Sequence, residues 1–362
     1  MLKISKIGAP VALLLAGSMA LAGCAANEQT GGSTTSGSSL SGTLTGKGAS
    51  SMKAAQEKWT ADFQTANTGV TVNYSPDGSG AGREAFVSGA ANFAGSDRAL
   101  KDSEMGAGKF AGCAASSSAL NLPVYISPIA VVFKVDGVTD LKLDADTLAG
   151  IFAGTITKWD DAKIKALNPD AGLPSANITA VHRSDDSGTT QNFTEYLSAV
   201  APSVWTKDPD GQWPFPGGEA AKGTSGVIDA VTNGTNTIGY ADESAAQNLS
   251  KAQIKVGDEF LSPTAEAAAK IVDQSSRVDG RADNDWALNL DRKAAGVYPI
   301  VLVSYAIVCE EYKDASVATL VKAYVGYIVS ADGQAAGQSA AGSAPLSADM
   351  QSKLKTAVDS IK

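Results

Sequence analysis

At 362 residues the chain is too long for a single ordinary core and fits two domains of roughly 130 to 180 residues each. Hydrophobic residues at 44% and charged residues at 19%, with few aromatics and abundant Gly, describe a globular protein of close-packed helices and tight loops and exclude a wholly disordered chain. The formal net charge of −9 argues against nucleic acid as a partner.

The first residues have the form of an export signal. Lys3 and Lys6 supply a basic start, and Pro10 to Leu21 an apolar stretch too short to span a bilayer as a stable helix. It runs into Leu21-Ala22-Gly23-Cys24, which resembles the bacterial lipobox, so residues 1–23 are expected to be removed and Cys24 to carry a lipid. Residues 24–43, a Gly/Ser/Thr-rich run without apolar periodicity, are expected to form a flexible tether to the outer membrane face. Without Lys3 and Lys6, 27 basic residues face 38 acidic ones, a net charge of −11. An anionic ligand must then be attracted by local donors against the global field. Cys113 and Cys309 remain after Cys24 is accounted for. An even remainder outside the cytoplasm points to one disulfide, with two buried thiols as the alternative. Neither Cys stands at ligand spacing to the single His or to another Cys, so no metal site and no cofactor is called for.

The elements follow in chain order. Leu44 to Gly48 is predicted as a strand, followed by a turn and a helix that carries Met52, Ala55, Trp59 and Phe63 at helical spacing. Val70 to Tyr74 alternates as a strand and enters the small-residue loop Ser75 to Gly82, with a helix expected from Arg83 to Ser88. Phe93 to Asp97 is a third extended segment. These strand, loop and helix units predict a parallel α/β sheet with ligands at the carboxyl ends of its strands. Leu122 to Val135 is an apolar strand region interrupted by Pro128, Leu148 to Phe152 lies on a short helix, and Ile178 to His182 is extended. Phe193, Tyr196, Leu197 and Val200 form one helix face, Tyr298 to Val308 a buried strand, and the Ala/Gly-rich end a set of helices.

The stretch Arg183-Ser184-Asp185-Asp186-Ser187-Gly188-Thr189-Thr190 admits three readings. A nucleophilic Ser187 needs a base, and the single histidine, His182, should face away from the cleft if its neighbour Arg183 faces into it. Asp185 and Asp186 lack further oxygen ligands for a metal, and Asp208-Pro209-Asp210-Gly211 is a turn instead of a calcium loop. An anion cradle uses more of the residues. Asp185 to Ser187 offers N-cap candidates, Gly188 permits close backbone approach, Thr189 and Thr190 add hydroxyls where free N–H groups gather, and Arg183 offers a planar fork. An ordinary capped helix is the plain alternative. Gly46-Lys47-Gly48-Ala49-Ser50-Ser51 fails the P-loop pattern but still presents hydroxyls and N–H groups, as does Gly78-Ser79-Gly80.

Together Gly46 to Ser51, Asp77 to Gly80, Gly95-Ser96-Asp97, Ile151 to Asp161 and Arg183 to Thr189 resemble, in order, the phosphate-binding protein of the ABC phosphate importer, the PstS type. The resemblance runs from about Leu44 to the C-terminus. It implies a two-lobed type II periplasmic-binding-protein fold, with lobe I from 44–125 and 299–362, lobe II from 126–298, and the ligand cleft between them at two chain crossings. It implies phosphate ligands at Ser50, Ser51, Ser79, Asp97, Arg183, Ser187, Gly188 and Thr189, with Asp185 orienting Arg183. Ser50-Ser51-Met52 stand where the family often has Thr-Phe-Pro, and Asp186 stands where it often has Gly, so Asp186 has no assigned role.

Asp97 carries the specificity argument, because an ionised carboxylate only accepts hydrogen bonds. Hydrogen phosphate has a proton to give, whereas sulfate would meet Asp97 lone pair to lone pair. The expected function is therefore an extracytoplasmic, monomeric lipoprotein that captures inorganic phosphate and delivers it to membrane permease subunits served by a cytoplasmic ATPase. It is anchored to the membrane through its lipid, binds no nucleic acid and makes or breaks no covalent bond. The rivals are a receptor for sulfate or molybdate, a phosphoester hydrolase using Ser187, and a lipoprotein with an adhesive or signalling role. An anion competition titration and a chromogenic phosphoester assay separate the first two from phosphate capture.

Overall fold

A computed structural model describes residues 40–362. The expected leader, Cys24 and the expected tether up to residue 39 lie outside the described residues, while Gly42 and Thr43, expected in the tether, belong to the first strand. Among the described residues no helix is long and apolar enough to cross a membrane.

The first strand spans Gly42–Gly48, two residues earlier than its sequence pattern suggested, because the Gly42 N–H donates to the Gly69 carbonyl and the strand pairs in parallel from Gly42 opposite Val70. It belongs to a nine-stranded sheet. The order across that sheet is Val70–Ser75, Gly42–Gly48, Phe93–Ser96, Val301–Cys309, Ala119–Lys134, Thr237–Asp242, Thr179–Arg183 and Glu219–Ala221, with Ser250–Lys251 beside Ala119–Lys134. The expectation of a parallel sheet holds only for its two ends. Val301–Cys309 runs antiparallel to both neighbours, and Ala119–Lys134 antiparallel to Thr237–Asp242, so the centre is mixed. The cause is the return of the chain from the far half, which brings Val301–Cys309 into the middle of the sheet without a crossover helix.

Ala119–Lys134 joins the two halves. Residues Ala119 to Pro128 pair with Val301–Cys309, and Ile129 to Lys134 with Thr237–Asp242. Pro128 stands at the change of partner, where a missing amide costs the ladder little. The strand is buried along nearly its whole length, which explains its unbroken apolar run.

Trp59 and Phe63 face the core from the helix Lys53–Ala66, and Trp59 donates from its indole to the Gly333 carbonyl at 2.6 Å. The C-terminal helices Ala315–Val329, Ala331–Ala341 and Ala348–Asp359 complete this half. Part of the stretch that the sequence placed in the second lobe packs on the first half instead. The Trp286 N–H donates to Asn121, Asp285 accepts from the Asn121 side chain at 3.0 Å, and Arg281 donates to the Leu100 carbonyl at 2.5 Å. Cys113 and Cys309 form a disulfide, with Cα atoms 5.3 Å apart, that ties the end of the Val301–Cys309 strand to the loop before the Ala119–Lys134 strand.

Candidate functional site

Three helix N-termini, those of Lys53–Ala66, Ser79–Val87 and Gly188–Val200, meet where the two halves of the sheet face one another. Two of them begin without a side-chain cap, at Met52 and Gly78, and the positive ends of the helix dipoles are directed at one region.

The helix expected from Arg83 begins at Ser79, because Gly80 and Gly82 are needed for contact and do not break the helix. A Cβ on Gly82 would stand 2.6 Å from the Gly48 Cα, and one on Gly80 would stand 2.5 Å from the Asp186 Cβ. Gly48 itself, at φ 149°, lies against Gly95, where a Cβ would come within 1.9 Å of the carbonyl oxygen. Small residues thus let the strand ends and the helix approach closely enough to set Ser50, Ser51 and Ser79 at one edge of the cleft.

Asp97 follows the strand Phe93–Ser96 and is 2% exposed. Its Oδ1 accepts from the Ser51 hydroxyl at 2.6 Å and from the Ser304 hydroxyl at 2.8 Å, while Oδ2 accepts from the Thr189 hydroxyl at 2.9 Å. Its N–H donates to the Ser79 hydroxyl at 3.1 Å. A buried carboxylate without a cation is held here by hydroxyl donors from both halves.

On the opposite wall the strand Thr179–Arg183 delivers a buried Arg183, whose Nε and Nη2 donate to the two Asp185 oxygens at 2.8 Å and 2.5 Å. Asp185 also accepts from the Gly223 N–H at 3.0 Å. Burial pushes the Asp185 carboxyl up, and the Arg183 hydrogen bonds, the Arg183 charge and the Gly223 N–H outweigh it, so the group titrates below the usual carboxylate range. Ser187 caps the helix Gly188–Val200 by accepting from the Thr190 N–H at 3.2 Å, which leaves its own proton free to donate. Gly188 sits so close to the facing wall that a Cβ would lie 2.6 Å from the Asp97 Cβ and 2.7 Å from the Ser79 Oγ.

The predicted residues Ser50, Ser51, Ser79, Asp97, Arg183, Asp185, Ser187, Gly188 and Thr189 therefore gather in one place. Their neighbours include residues that the sequence did not single out. Ser50 and Thr224 hydroxyls lie 3.1 Å apart and Thr224 donates its N–H to Ser50. Tyr240 accepts from the Arg183 N–H at 3.3 Å and lies 2.7 Å from the Thr190 hydroxyl, and Asn192 donates to the Asp97 carbonyl at 2.5 Å. The spacing Gly239-Tyr240 on a buried strand carried only a core signal. Asp186, left without a role, receives Arg83 Nη2 on both oxygens at 3.0 Å and 2.9 Å.

His182 stacks on Trp213 with ring centroids 4.9 Å apart, and its two nitrogens lie 3.0 Å and 3.2 Å from the Arg183 and Gly217 carbonyls. It is a packed residue turned away from Ser187. Among the described residues no group of three or more His, Cys, Asp or Glu is placed to hold a metal ion. Beside Ser50 a cavity of about 250 Å³ is lined by Lys53, Asp77, Lys222, Gly223 and Thr224, which puts two lysines next to an otherwise acidic protein's cleft.

The chain matches the family model of the PBP superfamily domain over residues 33–332. It is 36% identical over 376 aligned residues to the phosphate-binding protein PstS 3 of Mycobacterium tuberculosis, covering 99% of this chain and 100% of that one. It is 33% identical to the phosphate-binding protein PstS of Xylella fastidiosa, over 75% of this chain and 73% of the relative. Among solved structures, a high-affinity periplasmic phosphate-binding protein named PfluDING, bound with phosphate, superposes with a TM-score of 0.70 at 21% identity, covering 87% of this chain and 93% of that one. A phosphate-binding protein from Stenotrophomonas maltophilia superposes with a TM-score of 0.67 at 19% identity, over 87% of this chain and 94% of that one. These two show the two-lobed fold, and the family model and the mycobacterial relatives place this chain in the PstS family of phosphate-binding proteins.

Proposed function

We propose that this protein is an extracytoplasmic receptor that captures hydrogen phosphate between its lobes and delivers it to the permease of an ABC importer. The observation that carries the reading is Asp97. A buried carboxylate whose oxygens accept from hydroxyls lies among helix N-termini, serine and threonine hydroxyls and Arg183, and that combination suits an oxyanion that still has a proton. In the receptor, Ser50, Ser51 and Ser79 donate from one wall and Arg183, Ser187, Gly188 and Thr189 from the other, while Asp97 accepts the phosphate proton. Asp185 presents the Arg183 fork, whose charge-assisted hydrogen bonds contribute roughly 1.5–3 kcal/mol each. Lys53 and Lys222 at the rim draw the anion in against the overall negative charge.

Phosphate closes the lobes because donors from both sides reach it only when they meet. Lobe I is 44–125 with 299–362 and the stretch around Arg281 to Trp286 that packs on it, lobe II is the rest of 126–298, and the chain crossings between them flex. Cys24 carries the lipid that holds a monomer at the membrane, where permease subunits and their cytoplasmic ATPase take the ligand onward. The protein carries no catalysis of its own in this reading, since the Ser187 oxygen caps a helix and the single histidine is packed on Trp213. Calorimetric titration with phosphate, sulfate and molybdate tests the reading. Tight binding of phosphate alone is expected, and preference for sulfate or molybdate, or turnover of a chromogenic phosphoester, would overturn it. Replacing Cys24 with Ala should move the protein from the membrane fraction to the medium, and retention would remove the lipid anchor.

A further inference from the structure

Arg83 and Asp186 form an ion pair at the cleft that lies beside the anion-binding residues and is not one of them. Arg83 projects from the helix Ser79–Val87, and Asp186 precedes the helix Gly188–Val200, 103 residues later. The guanidinium is buried, with its side chain 6% exposed, and the carboxylate is 39% exposed. Nη1 of Arg83 donates to the Ser96 hydroxyl at 2.9 Å, a contact within its own half, while Nη2 reaches across to both Asp186 oxygens.

Asp186 has a built seat. A Cβ on Gly80 would stand 2.5 Å from its Cβ, and one on Gly211 would stand 2.2 Å from its Oδ1, so glycines from the two halves enclose it. The Gly80 N–H also donates to the Asp186 carbonyl at 3.0 Å. Any separation of the halves breaks the backbone bond and the ion pair together, while Arg83 keeps Ser96. A contact that exists only when the halves meet stabilises that state whether or not ligand is present, and a ligand that binds that state is then held longer.

We infer that Arg83 and Asp186 form a latch across the cleft that touches no phosphate and sets how long phosphate is retained. They are positioning residues, and the inference rests on the phosphate-receptor reading above. A specific competing idea is that Asp186 only neutralises Arg83. Removing its charge would then leave an uncompensated cation near the anion and tighten binding.

The test measures phosphate association and dissociation by stopped flow for the parent, Asp186→Asn, Arg83→Lys and Arg83→Gln with Asp186→Asn. The latch predicts that Asp186→Asn dissociates phosphate about tenfold faster with association changed less than about threefold, consistent with interface changes acting through the off-rate. Arg83→Lys keeps the charge but loses the fork, and should fall between parent and Asp186→Asn. The double variant should release phosphate no faster than Asp186→Asn by more than about twofold. An unchanged dissociation rate in Asp186→Asn, or tighter binding, overturns the latch while leaving the receptor reading intact. A parent that binds no phosphate in calorimetry overturns the receptor reading itself, and the latch with it.

Discussion

Asp185 and Asp186 are adjacent in the chain, and each accepts a guanidinium on both oxygens, yet they do different things. Asp185 pairs with Arg183 two residues away, inside one wall, and fixes the direction of a fork that can face an anion. Asp186 pairs with Arg83 from the other wall. The same chemistry in successive residues thus orients a guanidinium within one wall in one case and joins two parts of the protein in the other. Where the partner sits, and not the type of interaction, decides the role. Asp242 supplies a third case, a fully buried carboxylate without a cation: Oδ1 accepts from the Tyr125 hydroxyl at 3.0 Å, from the Ser244 hydroxyl and from the Ser244 N–H at 3.0 Å, and Oδ2 has no hydrogen-bond partner among the described residues. Burial pushes its pKa up to about 7.

The comparison can be broken most severely at Arg183. Replacing it with Ala should weaken phosphate binding by about a hundredfold, since at least one or two charge-assisted hydrogen bonds of roughly 1.5–3 kcal/mol are lost. Unchanged affinity in calorimetry would take Arg183 out of the site. Asp242 is the next largest case. With a folded pKa of about 7 against 3.8 for the free side chain, the unfolded chain releases a proton between about pH 4 and pH 7 that the folded protein keeps. Stability from this group therefore falls as pH rises through that window, by about 2 kcal/mol between pH 5 and pH 7, and levels off above it. Asp242→Asn, which resembles the protonated acid, should flatten that part of the curve of midpoint temperature against pH. An identical curve would show that Asp242 is ionised in the fold.

Asp185→Asn should cost about 1–2 kcal/mol of phosphate binding, because the fork is kept and its orientation is not, and fluorescence titration should show a loss of roughly five- to thirtyfold. A loss as large as that of Arg183→Ala would make Asp185 more than an orienter. The smallest effect sits at the helix end below the pair. Ser187→Ala removes a cap and should cost about 1 kcal/mol in denaturant unfolding. A stability equal to the parent's would show that the Thr190 N–H finds another acceptor.

The sequence made one wall of the site legible almost completely. Ser187, Gly188 and Thr189 follow Arg183 directly, and the local rules for caps, close approach and alternation along a strand apply to neighbours. The other wall was legible only through the ordered set of small-residue motifs, because Ser50, Ser79 and Asp97 lie on three separate segments of the chain. Arg83 and Asp186 could not be paired from the sequence, since the contact joins elements 103 residues apart and each residue alone reads as a solvated charge. The start of the helix at Ser79 was missed for a related reason. Gly80 and Gly82 lower helix propensity, but their missing side chains are what allow the helix to pack on Gly48 and Asp186, and packing prevails. The antiparallel centre of the sheet likewise depends on where Val301–Cys309 returns, which no local pattern encodes.

The central claim is that Asp97 selects an anion that carries a proton. Calorimetry of the parent and of Asp97→Asn, each titrated with phosphate and with sulfate at neutral pH, tests it directly. The parent is expected to bind phosphate and reject sulfate, and the variant, whose amide can donate, to narrow that gap by at least tenfold. The same phosphate-to-sulfate ratio in both proteins would contradict it.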